Sequence, residues 1–222
     1  MLFRSALQLA LLAKTGSTTW AGPALCEAFG VGGKPVGDQQ SEALLPDDIM
    51  EDCFNDMITG QGEGTGWRQN KEQGPGATDR VVRANHATIW GGNLAMLTSL
   101  LGTEYFPEIK GGILFLEDVG EHPYRIERML TQLLHAGVLG RQKAILLGQF
   151  TEYKLNSHDK GFKMDTVVQW LRSQIKAPVL TNLPYGHVAT KVLLPVGAKT
   201  DLHAEGRDVM LFWGHVDGRD AV

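Results

Sequence analysis

The run Lys110–Leu134, KGGILFLEDVGEHPYRIERMLTQLL, constrains the fold more than any other part of the chain, because its hydrophobic pattern changes character midway. Ile113, Leu114, Phe115 and Leu116 form a short apolar run introduced by two glycines, too brief for a helix and suited to a strand buried on both faces. Beyond Pro123, Ile126, Met129, Leu130, Leu133 and Leu134 recur at helical spacing, while Arg125, Glu127, Arg128 and Gln132 take the opposite side. A core strand, a turn and an amphipathic helix make a βα unit. Glu117 and Asp118 fall at the strand's end, the rim where α/β enzymes keep their chemistry. Taken alone, they read more readily as ordinary solvated turn acids.

The rest of the chain fits an α/β protein. From Arg80 onward it reads as strand VVRANHATIW, helix NLAMLTSLLG, the βα unit above, strand AILLGQF, helix MDTVVQWLRSQI and strand PVLTNLP. The last part, KVLLPVGAKTDLHAEGRDVMLFW, predicts two strands joined by a polar turn. Residues 60–79 are Gly-rich and polar and read as a linker or long loop, preceded by a short helix over Asp47–Ile58. Asn93 is placed to cap the helix that follows Trp90-Gly91-Gly92.

Composition excludes several classes. With 43% hydrophobic residues and five tryptophans among 222 residues, the chain can bury a core, which excludes a disordered or fibrous protein. A formal net charge of −4 offers no basic field for nucleic acid. Cys26 and Cys53 are too few for a disulfide framework and lack metal-ligand spacing, which suits a reducing cytoplasm. Glu121-His122 and His158-Asp159 make no metal motif, so neither a metal nor another cofactor is expected. Met1–Ala13 imitates a signal peptide. Lys14 follows at once, no cleavage site lies behind it, and the run is shorter than the roughly 20 residues of a membrane span, so an amphipathic helix ending at Gly16 is expected.

Five segments, TTWAGPAL, IWGGNLAMLTSLLGT, GGILFLEDVGEHPYRIERMLTQLLHAGVL, ILLGQF and NLPYGHVATKVLLPVGAKTDL, stand in an order that resembles the LD-carboxypeptidases, or murein tetrapeptide carboxypeptidases, together with the microcin C immunity peptidases. The resemblance implies a serine carboxypeptidase with a Ser-Glu-His triad, acting on murein tetrapeptide in the cytoplasm during cell-wall recycling. The family glutamate carries over to Glu117 and its histidine to His187 of Pro184-Tyr185-Gly186-His187. Without the resemblance, His187 is one of seven histidines that spacing alone does not single out. Gly91, Gly92 and Asn93 fall by resemblance beside the substrate groove, where glycine lets backbone approach a peptide.

The nucleophile is the point of mismatch. Laying the family's Gly-x-Ser-Asp-x-Thr segment on this chain puts Leu2 at the serine, Phe3 at the aspartate and Ser5 at the threonine. Ser17, Ser41, Ser99, Ser157 and Ser173 lie outside any Gly-x-Ser-x-Gly elbow. The resemblance therefore implies residues 1–29 as a remnant of a Rossmann-like N-terminal domain. Residues 30–79 would be a linker or long loop with a short helix, and 80–222 a C-terminal α/β domain of swivelling type. The expectation is a chain that carries the charge-relay pair but is inactive for want of its serine, through N-terminal truncation or as a non-catalytic paralogue that binds muropeptides. The family also suggests a homodimer, with no nucleic-acid or membrane partner.

Overall fold

The computed structural model describes residues 3–22, 47–70, 81–188 and 190–216. Leu2, Cys26, Ser41 and residues 30–46 and 71–79 of the expected linker lie outside the described residues. Helix α1 (Phe3–Thr15) buries Leu9 and Leu12 and stops where Gly16 takes a left-handed φ of 69°, its N–H bonded to Leu12 O at 3.0 Å. Strand β1 (Thr19–Ala21) follows. Helix α2 (Asp48–Thr59) begins at Asp47, whose carboxylate accepts from Met50 N, and ends at left-handed Gly60.

Seven strands form one mixed sheet in the order β2-β9-β8-β3-β4-β5-β6. Its parallel half is β3 (Val82–Asn93), β4 (Ile113–Val119), β5 (Ala144–Thr151) and the short β6 (Val179–Leu180). Helices α3 (Leu94–Ser99), α4 (Pro123–His135) and α5 (Met164–Gln174) follow β3, β4 and β5 in the chain. The other half is antiparallel: β8 (Lys199–Glu205) pairs with β3 and with β9 (Asp208–Phe212), and β2 (Gly64–Arg68) adds to β9. Strand β7 (Leu194–Val196) leaves this sheet and pairs with β1.

Strand β4 lies in the interior of the sheet, and its Ile113, Leu114, Phe115 and Leu116 have no solvent exposure. Burying each such side chain contributes about 1.5–3 kcal/mol. On α4 four of the five predicted stripe residues, Ile126, Met129, Leu130 and Leu133, are buried, and the fifth, Leu134, is partly buried against the same core. Three elements differ from expectation. The Gly-rich stretch read as linker contains β2, because Phe212 and Met210 of β9 lie over Gly64 and Gly66 and supply the packing the glycines lack. The expected strand 178–184 contracts to two residues. The chain end gives three strands, since β7 pairs away from the β8–β9 hairpin.

Candidate active site

Residues of β3, β4, β5 and the segment after β6 meet where the parallel strands end. Strand β4 brings Glu117 and Asp118 there, and both are buried, at 4% and 1% exposure. The solvated-turn alternative is therefore wrong for both acids. A buried carboxylate needs partners. Asp118 has three: Oδ1 accepts from Asn93 Nδ2 and from Val119 N, and Oδ2 accepts from Ala95 N, each at 2.9 Å. Desolvation nevertheless outweighs these bonds and holds its carboxyl above the usual value.

Glu117 has a different partner. His187 Nδ1 lies 3.0 Å from Glu117 Oε2, with the imidazole 22% and the carboxylate 5% exposed. An ionised carboxylate only accepts, so Nδ1 carries the proton and Nε2 is the basic nitrogen. Such a pair holds the ring in one tautomer and supports positive charge on it, as the acid of a hydrolase triad does.

The segment carrying His187 is moored to the end of β5. Leu183 N bonds Leu147 O at 3.1 Å and Gln149 N bonds Tyr185 O at 2.8 Å. Gln149 Nε2 donates to Asn182 Oδ1 and Leu183 O, and Thr151 Oγ1 donates to His187 O. The β4–β5 register shifts between Leu116 and Asp118, at the residue that pairs with His187. Gly186, at φ 132°, permits the approach. A Cβ there would lie 2.9 Å from Gln149 O and 3.3 Å from Glu117 Cβ. Tyr185 packs edge-on to Phe115 at 5.0 Å, and burial, reinforced by the charge of Glu117, pushes its phenol well above the usual value. Helix α2 braces the same segment farther along: Asp47 accepts from Thr190 Oγ1, and Lys191 N donates to Met50 Sδ.

Strand β3 supplies the other side. Asn93 sits opposite Glu117 in the β3–β4 register. Its Oδ1 caps α3 through Met96 N at 3.1 Å, as the sequence predicts, and its backbone N–H donates to Ser5 Oγ of α1 at 3.2 Å. Gly91, at φ 136°, lets β3 lie against β4 where a Cβ would fall 1.9 Å from Phe115 O. Gly91, Gly92, Asn93, Glu117 and His187, drawn from three parts of the sequence, thus gather where the parallel strands β3 and β4 end. Sequence reading missed the Asp118–Asn93 bond, Tyr185 and the mooring Gln149. An acid next to Glu117 and an Asn directly after the glycine pair were the only signals available for the first. Among the described residues, no three His, Cys, Asp or Glu side chains gather as a metal-ligand set.

A family profile described as the LD-carboxypeptidase C-terminal domain matches residues 86–202, a span that includes all five of these positions. The chain belongs to the LD-carboxypeptidase family. It is 36% identical over 110 residues to the murein tetrapeptide carboxypeptidase of Pseudomonas aeruginosa, a match covering 48% of this chain and 34% of that protein. To the microcin self-immunity protein MccF of Escherichia coli it is 27% identical over 223 residues, covering 93% of this chain and 62% of that one. The crystal structure of a muramoyltetrapeptide carboxypeptidase from Oxalobacter formigenes superposes with a TM-score of 0.78 at 37% identity, over 96% of this chain and 67% of that one. The chain thus spans only part of the length of these LD-carboxypeptidase relatives. The family is one of serine peptidases. Among the described residues, no helix is long and apolar enough to cross a membrane.

Proposed function

We propose that Glu117 and His187 are the charge-relay pair of an LD-carboxypeptidase site for murein tetrapeptide, and that this chain binds the peptide without releasing its terminal D-alanine. The observation that carries the reading is the 3.0 Å contact between His187 Nδ1 and a carboxylate buried at the end of a central parallel strand. Beside a serine hydroxyl, an imidazole placed like His187 would take its proton through Nε2 and return it to the departing amine of D-alanine, while Glu117 would stabilise the imidazolium between the two steps. Gly91, Gly92 and Asn93, at the adjoining strand end, form the floor on which the peptide lies. None of the six serines of this sequence is followed by Asp as in the family's Gly-x-Ser-Asp-x-Thr segment, so none of them matches the family nucleophile that would receive the acyl group. The names of the relatives support the substrate class: one is a murein tetrapeptide carboxypeptidase, and MccF has been solved with aspartyl sulfamoyl adenosine. Recycling of cell-wall peptides in the cytoplasm, by a homodimer, is the setting this reading gives the chain.

The test is calorimetric titration of the chain with murein tetrapeptide, alongside an assay for free D-alanine and labelling with a fluorophosphonate probe. Saturable binding with neither D-alanine nor label is expected. Label on any serine would show that an activated nucleophile exists and would overturn the non-hydrolytic half. Absence of binding would overturn the peptide site.

A further inference from the structure

A second histidine–carboxylate pair, His122 with Asp159, is used by no step of that reading. His122 Nε2 is 3.3 Å from Asp159 Oδ1, with the two side chains 14% and 13% exposed. The Nε2 atom is cut off from solvent and has no aligned hydrogen-bond partner among the described residues, so its contact with Asp159 is a charge pairing. Neighbouring charges are matched elsewhere, Glu121 with Arg125 and Lys163 with Asp165. His122 is the N-cap of α4, five residues past Glu117, and Asp159 lies in the loop that joins β5 to α5.

That loop, residues 152–163, has little else to hold it. Most of its side chains are exposed, and only Tyr153, Asp159 and Phe162 turn inward. Phe162 packs against the main core, and the Tyr153 ring lies 6.4 Å from that of His122, edge-on. The Tyr124 ring lies nearer the imidazole, at 4.4 Å. Glu152 and Lys160 both adopt left-handed backbone, at φ 60° and 47°, a conformation that persists in non-glycine residues only where the surroundings impose it. Asp159 provides the restraint from within, since its Oδ2 accepts from Asn156 N at 2.6 Å and closes a capping box around the turn Ser157–Asp159. Its other oxygen faces His122.

The root of the loop touches the proposed site. Thr151, the last residue of β5, accepts from Gly120 N at 2.8 Å and donates through Oγ1 to His187 O at 3.4 Å. The loop therefore leaves the sheet between the exit of β4 and the backbone of His187, and the clip to His122 decides where it goes next.

We propose that His122 and Asp159 are positioning residues: they clip the 152–163 loop to the start of α4 and so fix one wall of the peptide cleft beside His187. The clip follows from the geometry alone, while its effect on peptide affinity rests on the function proposed above. The experiment measures amide hydrogen exchange across residues 152–163, and murein tetrapeptide affinity by calorimetry, in the full chain and in His122→Ala, Asp159→Asn and the double variant. Loss of one charge-assisted contact should raise exchange of the loop by about tenfold in each single variant, with no further rise in the double. Affinity should weaken by roughly fivefold while the His187 titration stays where it is in the parent chain. Unchanged exchange in both single variants overturns the clip. A loosened loop with unchanged affinity overturns the positioning role. A parent chain that does not bind overturns the peptide reading and the positioning role with it, whereas the exchange result still decides the clip. Asp159→Asn keeps the test sound if His122→Ala unseats the α4 cap.

Discussion

Asp118 Oδ1 accepts a hydrogen bond from Asn93 Nδ2 at 2.9 Å, and this bond joins the ends of β3 and β4 one residue beyond the point where Asn93 and Glu117 stand in register. The same carboxylate accepts from Ala95 N in the first turn of α3 and from Val119 N at the end of β4, so one buried acid fixes the strand end that presents Glu117 and the turn that follows Gly92. Replacing Asp118 by Ala leaves three donors without their acceptor and should cost about 3 kcal/mol, read as a lower urea midpoint with an unchanged m-value.

The buried carboxyl also carries a pH signature. Burial raises the pKa of Asp118 above its usual 3.8, so the folded chain holds this proton more tightly than the unfolded one. Its stability contribution is therefore greatest in acid and declines as pH rises from 3.8 through the folded value. Asp118→Asn does not titrate. Across a pH series of urea denaturations, the parent chain should lose stability relative to Asp118→Asn as pH rises through that window, and a constant difference would count against the burial argument.

Gly186→Ala should damage fold and site together. The new Cβ meets Gln149 O and Glu117 Cβ in a backbone conformation that side chains rarely adopt, which costs roughly 1–3 kcal/mol. The His187 segment must then move off β5. Thermal unfolding should show the lower midpoint, and the imidazole of His187 should lose its coupling to Glu117 in an NMR titration.

Gln149→Ala tests the mooring separately from the pair itself. Its amide donates to Asn182 Oδ1 and to Leu183 O, and removing it leaves Leu183 O without that donor at a cost of about 1–2 kcal/mol. Faster amide exchange should be confined to the segment around 182–187, because β5 keeps its ladders to β4 and β6. Uniform loosening of the sheet would contradict the local role.

Much of this architecture is legible in the residues. Strand β4 and helix α4 follow from an apolar run and a stripe at helical spacing, and the Asn93 cap follows from its position after two glycines. The rest depends on contacts that no local pattern records. Gly64–Arg68 becomes a strand only because β9 offers it an edge and two large side chains. The segment after Leu180 leaves the expected strand because Leu147 and Gln149 draw it onto the end of β5. Glu117 and His187 are 70 residues apart, and only the family resemblance pairs them in the sequence. His122 and Asp159 had no comparable guide, since Glu121-His122 and His158-Asp159 carry no signal in the sequence beyond failing a metal motif.

The most direct test of the account is an NMR titration of the His187 ring nitrogens in the parent chain and in Glu117→Gln. The neutral ring of the parent should be the Nδ1–H tautomer. Loss of the carboxylate should move its titration to lower pH, because the imidazolium loses the charge that supports it. A neutral ring protonated on Nε2, or a titration indifferent to Glu117→Gln, would contradict the charge-relay pair.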